Sequence, residues 1–456
     1  LARAPTWPRV VVAAARAPAP PAAPRAAAHP RGRTQVIDAQ DSDALDAIVS
    51  GARAVVHMLP PRFQPAIARA CVKHGATFAS ASYRAAETAA LDRAARDAGV
   101  ALVCETGLDP GIDLMTAAQT IDAVHADGGK VLRFASYGGG LPALDARDRN
   151  PLGYAITWNP RNVAMAGESG AVYLRQGRVR RVTHDRLFRT TWPVDVPGLA
   201  RFEAYPNRDA LPYRAILDIP EAHTLMRGTL RYPGFCEIWD AVVRLGLADE
   251  LHALPARAGD GDDAAATTYR ALVAMSLAVG SDDEDADGLQ LRVASALGLH
   301  PTGAALRALR WLGLFDDAPI PDGARTPAEA LAHLLIDRLP LDDDAADLVV
   351  LHHEFDVRDA DGGHRRLTST FHHVGTPGGD TAMATTVGLP TAFAIDLAMT
   401  ERLVDDAGQR LVGVHVPTAP ALYRPLLDAL DKAALTVHER AQALPDPPPT
   451  TPEQRA

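Results

Sequence analysis

Four short stretches of this chain carry residue types that do chemistry at spacings a loop can present. Gly107-Leu-Asp-Pro-Gly-Ile-Asp113 joins an apolar run to a helix-periodic one, with Asp109 reading as an N-cap and Pro110 as the first helical residue. The same turn lies where ligands of open α/β sheets bind, beyond the carboxyl end of a strand. Ser80-Ala-Ser-Tyr83 leaves a neighbouring strand end and is expected to bring the Ser82 and Tyr83 hydroxyls toward Asp109. Tyr205-Pro-Asn-Arg-Asp209 and Arg227-Gly-Thr-Leu-Arg-Tyr232 each set arginine beside aromatic and turn-forming residues. Two such clusters suit a ligand with several carboxylates, because the guanidinium fork matches a carboxylate in two parallel hydrogen bonds.

Other candidates are weaker. The lysines are Lys73, Lys130 and Lys432 alone, so a lysine base or Schiff base has three candidates. His352-His353 and His372-His373 are adjacent on strands, which points each pair to opposite faces and makes poor metal geometry. No metal is expected, and His57 and His125 read as structural. Gly375-Thr-Pro-Gly-Gly-Asp380 is either an anion nest before a helix or a hinge. G-x-G-x-x-G, Walker A, G-x-S-x-G, H-E-x-x-H and paired CxxC patterns do not occur.

The chain that must hold these residues has 456 of them, 47% hydrophobic and 22% charged, an ordinary globular composition with room for two or three domains. Lys+Arg 46 against Asp+Glu 56 gives a formal net charge of -10, which argues against a nucleic-acid footprint. Three scattered cysteines, Cys71, Cys104 and Cys236, point to a reducing cytoplasm. The most apolar stretch, Ala382 to Met399, contains Gly388, Pro390 and Asp396 and reads as a helix pair of a soluble protein, with no membrane partner. The N-terminus does not read as a signal peptide.

Along the first hundred residues strand and helix signals alternate. Strands are expected at Val10 to Ala14, Thr34 to Ile37, Ala54 to Met58, Ala76 to Ser80 and Val100 to Cys104. Helices fall between them at Ser42 to Ile48, Gln64 to His74 (stopped by Gly75) and Ala86 to Ala98. This predicts an α/β fold, a Rossmann-type doubly wound parallel sheet, whose first βα unit of about 20 to 30 residues is missing. Loss of that central strand would leave two strand edges roughly 10 Å apart. An Ala/Pro-rich disordered leader over residues 1 to 33 is the plain alternative. From Lys130 strands at Val131 to Tyr137 and around Val172, Phe202 and Arg231, then Leu348 to Val357 and Arg366 to His373, predict a mixed α+β domain. Helices at Trp239 to Leu247, Ala264 to Ala278, Leu289 to Leu297 and Gly303 to Leu312 interrupt it, with solvated loops at Ala258 to Asp263 and Ser281 to Glu284. A strand at Leu411 to Val416 and a helix at Pro420 to Lys432 return to α/β character.

Taken in order, these words resemble the glutamate-forming saccharopine dehydrogenases, also called saccharopine reductases. The matching segments are Ala54 to Pro60, Ala81 to Tyr83, Gly107 to Asp113, Ser136 to Pro142, Asn150 to Tyr154, Ala204 to Asp209, Arg227 to Tyr232 and Ala382 to Ala384. The resemblance implies a dinucleotide-binding domain of residues 1–129 and 380–442, a mixed-sheet substrate domain of 130–236 and 338–379, a helical insertion of 237–337 and a disordered tail of 443–456. It also implies the reaction, the interconversion of saccharopine with L-glutamate and 2-aminoadipate 6-semialdehyde in lysine metabolism, by a cytoplasmic homodimer.

By motif position the resemblance places saccharopine against Ser82, Tyr83, Asp109, Arg208, Thr229, Leu230 and Arg231, with acid–base roles on Tyr83 and Asp109. The cofactor would lie against Arg16, Asp38, Ala39, Leu59, Ala81, Ser82, Leu108, Asp109, Pro110 and Asn159. Arginine at 16, where NAD enzymes carry an acidic residue, favours NADP, with NAD possible. Departures are Gly138 where the family has cysteine, Ala81 where it has threonine, and the absent glycine turn, which predicts feeble turnover by residues 1–456. Two alternatives stay open: a carboxyspermidine-type or other opine-like reductase, and a non-catalytic homologue that has lost nucleotide binding.

Overall fold

The computed structural model describes residues 10–14, 31–254, 267–278, 285–405 and 407–445. Arg16, the prolines around it, both solvated loops and the tail from 446 lie outside the described residues. By compactness the chain divides into two units, residues 1–122 with 385–436 and residues 123–384 with 437–456.

The first unit starts with strands β1 (Val10–Ala14) and β2 (Gly32–Val36), which pair in parallel. Helix α1 (Ser42–Ser50) is capped by Asp41, whose carboxylate accepts from the Asp43 and Ala44 amides. Then come β3 (Ala54–His57), α2 (Gln64–His74), β4 (Thr77–Ser80), α3 (Ala86–Ala89), α4 (Asp92–Asp97) and β5 (Ala101–Val103). Helix α2 ends where Gly75 takes φ +71, a left-handed conformation that glycine adopts without a Cβ clash. The expected single helix of residues 86–98 is broken into α3 and α4. Asp92 fixes the second piece, its carboxylate holding Arg96 and the Val414 amide.

Helix α5 (Ile112–Ala126) corrects the reading of Asp109 as its cap. The helix begins two residues after Pro110, and the Asp113 carboxylate accepts from the Gly111 amide at 2.6 Å. Gly111 has φ +151, and a Cβ there would sit 1.9 Å from the Gly107 oxygen, so the turn closes only on glycine. Asp109 is therefore outside the cap, with an exposed side chain.

The second unit is built on β6 (Lys130–Pro142), β7 (Ala171–Arg175), β8 (Arg178–Val182), β9 (Trp192–Val196), β10 (Ala200–Pro206), β11 (Arg208–Asp209) and β12 (Thr224–Arg231). Helices α6 (Phe235–Arg244), α7 (Tyr269–Ser276), α8 (Ala286–Leu297), α9 (Ala304–Leu312) and α10 (Pro327–Arg338) follow, then β13 (Asp347–Arg358) and β14 (His364–Val374). Strand β6 does not stop at Tyr137 as expected. It runs through Gly138-Gly139-Gly140, each paired with β13, and the bare Gly139 lets the Leu230 side chain pack close against the backbone.

Helix α11 (Ala382–Met399) is one helix with Pro390 inside, where the sequence reads as a pair. It is long and apolar enough to cross a membrane by length and composition, yet Thr386 and Thr391 are fully buried and the Thr391 hydroxyl donates to the Thr106 oxygen. Asp347 caps its first turn through the Ala382 and Met383 amides, so the helix end after the glycine loop is filled by the protein's own carboxylate.

Strand β15 (Gly413–His415) returns to the first unit and helix α12 (Pro420–Lys432) follows it. The first unit's larger sheet has the order β15-β5-β4-β3, parallel throughout, over a core of Val49, Ile67, Cys71, Phe78, Leu102 and Cys104. Among the described residues it shares no ladder with β1 and β2. Strand β16 (Val437–Ala443) pairs with β14 and closes the second unit's mixed sheet, of order β11-β7-β12-β6-β13-β14-β16.

Candidate active site

In the first unit the candidate residues cluster where β4 and β5 end. The Ser80 oxygen accepts from both the amide and hydroxyl of Thr106, and the Glu105 amide donates to the Ser82 oxygen, so the two strand ends are laced together. The Glu105 carboxylate takes the Arg84 amide at 2.9 Å. On this frame the Tyr83 hydroxyl donates to Asp109 Oδ1 at 3.0 Å, joining two residues 26 apart in the chain. In this bond the phenol is the donor and the Asp109 carboxylate oxygen the acceptor. Ser82 and Tyr83 are half-buried, and Leu108 and Pro110 are buried beneath the exposed Asp109.

The residues read as cofactor contacts are more scattered. Leu59 packs on the first unit's core at the end of β3, and Ala81 lies against the Gly107 backbone. Asp38 is exposed, its carboxylate closing a turn on the Gln40 amide beside Ala39. Asn159 lies in the second unit, where its side chain caps a short helix through the Arg161 amide. The C-terminal strand ends thus offer backbone and apolar surface from Leu59, Ala81, Leu108 and Pro110, a setting that fits a flat nicotinamide ring.

In the second unit the central feature is Arg231, 4% exposed. Its guanidinium stands 4.8 Å from the Tyr154 ring centroid, 5.1 Å from Phe235 and 5.8 Å from Tyr205. Nη1 donates to the Leu230 oxygen at 2.8 Å, and Nε has no partner. The residue directly opposite on β10 is Glu203, but its carboxylate turns away to accept from the Gly234 and Cys236 amides at the start of α6. Among the described residues Arg231 has no carboxylate partner. A charge taken out of water without a counter-ion costs several kcal/mol. The aromatic faces recover about 0.5 to 2 kcal/mol of that for each good contact.

Strand alternation puts Thr229 on the face of Arg231 and Leu230 on the other, where it is fully buried against Gly139. The Leu230 side chain therefore belongs to the core, and only its carbonyl meets the arginine. Arg208 is exposed and adopts φ +53, a left-handed conformation uncommon for a residue with a Cβ. The preceding Asn207 amide bonds to the Arg227 oxygen, four residues before Arg231, so the two arginines hang from points about 13 Å apart along β12. The arginine level with Arg208 is Arg227, buried and 4.5 Å over the Tyr213 ring. Sequence reading passed over Arg227, Glu203 and the box of Tyr154, Tyr205 and Phe235; the repeated arginine-aromatic pairing within these words was the available signal.

Histidines and cysteines add little chemistry. His352 is buried with Nδ1 2.8 Å from Thr370 Oγ1, and His353, on the opposite face, packs on Phe134 and Phe355. Among the described residues no group of three or more metal-ligating side chains forms. Burial pushes the Cys71 and Cys104 thiols up to about 12, which leaves them inert.

The chain matches two family models, a saccharopine dehydrogenase NADP binding domain over residues 1–103 and a saccharopine dehydrogenase C-terminal domain over residues 107–435. It is 34% identical over 433 residues to the NADP(+), L-glutamate-forming saccharopine dehydrogenase of Saccharomyces cerevisiae, covering 92% of this chain and 91% of that one. It is 34% identical to the mitochondrial alpha-aminoadipic semialdehyde synthase of Bos taurus over 86% of this chain but 41% of that longer protein. The solved apo saccharopine dehydrogenase (L-Glu forming) from Saccharomyces cerevisiae superposes with a TM-score of 0.81 at 31% identity, covering 95% of this chain and 94% of that chain.

Proposed function

The chain belongs to the saccharopine dehydrogenase family, and from that premise we propose roles for the residues of its site. The reaction is the NADP-dependent interconversion of saccharopine with L-glutamate and 2-aminoadipate 6-semialdehyde. In the oxidative direction, saccharopine, NADP(+) and water become glutamate, the semialdehyde, NADPH and one proton. NADP supplies the hydride acceptor for the carbon on the lysine side of the C–N bond.

Arg231 binds one substrate carboxylate in its aromatic box, with the Thr229 hydroxyl beside it, and Arg208 binds a second. Asp109 takes the proton of the secondary amine, so that the nitrogen lone pair can form the imine that water then hydrolyses. Tyr83 holds that carboxylate and donates back to it, and Ser82 supplies a further hydroxyl to the substrate. Leu59, Ala81, Leu108 and Pro110 form the nicotinamide surface, with Asp38, Ala39 and Arg16 assigned to the adenosine end. We further propose a cytoplasmic homodimer, the compartment being supported by the three free cysteines.

The unpaired Arg231 carries this reading, because a triply carboxylated substrate supplies the missing counter-ion. A polyamine substrate would call for acidic side chains around the same box, and Glu203 turns out of it. Reductive assays with fixed NADPH and 2-aminoadipate semialdehyde test the choice. Glutamate as the amine is expected to react at least about 100-fold faster than a diamine, the discrimination available to a site built for a buried charged group. Equal or reversed rates would transfer the chain to the polyamine reductases.

A further inference from the structure

The strap Ser82 to Ala85, which presents Tyr83 and is tied on one side to Glu105, is held at several points at once by one fully buried side chain. Gln64, the first residue of α2, is fully buried. Its Nε2 lies 3.1 Å from Ser80 Oγ, 3.1 Å from the Tyr83 oxygen and 3.4 Å from the Ser82 oxygen. Its Oε1 accepts from the Ala85 amide at 2.9 Å and the Thr88 hydroxyl at 3.1 Å. Two hydrogens and two lone pairs are thereby all engaged, and only one orientation of the amide works. Turned over, the oxygen would face two carbonyls and the NH2 would face the Ala85 N–H.

The chain of hydrogen bonds continues inward with a fixed direction. Ser80 Oγ accepts from Gln64 Nε2 and from the Ser82 amide at 3.1 Å, which fills both its lone pairs. Its one hydrogen must point to His57 Nδ1, 3.0 Å away. His57 is then the neutral tautomer protonated on Nε2, in keeping with its 1% exposure.

We propose that Gln64 is a positioning residue for saccharopine binding, acting through the Ser82–Tyr83 strap, with Ser80 and neutral His57 fixing the amide from behind. This rests on the reading that Ser82 and Tyr83 meet the substrate. Backbone carbonyls are the atoms Gln64 holds, so its removal shifts the Tyr83 ring without touching the ring itself. A misplacement of about 1 Å at such a group can cost on the order of 100-fold.

The test compares Q64E and Q64L with S82A and Y83F, using calorimetry for saccharopine and protein fluorescence for NADP. At pH 8.5 the Q64E carboxylate faces two carbonyl oxygens and repels them. Its saccharopine Kd should rise at least about tenfold, with NADP binding within about threefold of wild type. At pH 6 protonation restores one donor, and the deficit should shrink to about threefold or less, whereas that of Q64L should not change with pH. A purely structural defect would not recover on acidification. Deficits under twofold, or equal at both pH values in Q64E, would overturn the proposal. Loss in S82A or Y83F without loss in Q64E sinks this inference alone; no loss in any of them sinks the reading of the site. Should the Gln64 variants not fold, 15N imidazole shifts of His57 in the wild-type protein decide. A proton on Nε2 upholds the hydrogen-bond chain, and a proton on Nδ1 refutes it.

Discussion

The two groups of candidate residues, one in each unit, are built on opposite principles. At the β4 and β5 ends of the first unit, side chains are partnered within the protein: Tyr83 with Asp109, Glu105 with the Arg84 amide, Ser80 with Gln64 and His57. In the second unit Arg231 is buried among aromatic rings with its Nε idle and the nearest candidate acid turned away. The first arrangement spends its hydrogen bonds on position. The second leaves a buried guanidinium with an unpartnered Nε among aromatic rings, the feature on which the proposed carboxylate contact rests.

The largest expected effect comes from breaking this contrast at Arg231. Arg231→Met keeps much of the volume and removes the charge. Saccharopine binding should weaken by about 2 to 5 kcal/mol, the range for removing one partner of a desolvated ion pair. Stability should stay level or rise, because a buried cation without a counter-ion is replaced by an apolar side chain. Loss of the cation–π contacts limits any gain to a kcal/mol or so. Thermal unfolding alongside calorimetry checks both halves of the statement. An Arg231→Met protein that unfolds many degrees lower would show the guanidinium to be a structural keystone, and the contrast would be lost.

Much of this was legible from residue order. Asp41 before an apolar-periodic run, Gly75 after one, and short apolar strands between them are local signals, and the structure follows them to within a residue or two. Ser82, Tyr83 and Asp109 sit beyond strand ends for the same reason. What stayed hidden depends on partners distant in sequence. Gln64 reads as an ordinary first-turn residue until β4 and the strap fold over it. Glu203 gives no signal at all until β10 pairs it with Arg231 and α6 offers it the Gly234 and Cys236 amides. Strand β6 reads as ending at three glycines because their use, letting Leu230 approach a bare backbone, needs a second layer to be seen. Leu230 was a different kind of miss, since alternation along β12 already set it on the face opposite Arg231.

His57 gives a smaller effect and belongs to the positioned half. Burial holds its imidazole down at about 4 against an ordinary 6.5. The unfolded chain therefore takes up a proton near pH 6.5 that the folded chain refuses until about pH 4. Stability from this group is intact above pH 6.5 and is lost as pH falls toward 4. Linkage puts the loss at about 2 kcal/mol by pH 5. His352 and His415 are lowered by burial in the same direction, so the isolating measurement is a difference. Urea unfolding of wild type and His57→Gln at pH 7.5 and pH 5 should show a fall in the variant shallower by about that amount. Parallel falls would mean that the imidazole is already protonated in the native protein, and the direction assigned to the Ser80 hydrogen would go with it.

The smallest effect sharpens the contrast inside the second unit itself. Arg208 and Arg231 were a matched pair on sequence grounds, but one is exposed at φ +53 and the other is sealed among rings. An exposed charge acts through screened water, so Arg208→Ala should cost only about 1 kcal/mol of saccharopine binding at low salt. That deficit should fade toward zero near 0.5 M KCl, where the Debye length is only about 4 Å. The Arg231→Met deficit, in a site that excludes ions, should persist. Backbone strain gives an independent handle, because a non-glycine residue in the left-handed region costs roughly 1 kcal/mol. Arg208→Gly should therefore lose binding as Arg208→Ala does while unfolding slightly later. If the two arginine deficits instead respond identically to salt, Arg208 is enclosed when the ligand binds, and both guanidiniums belong to one desolvated pocket.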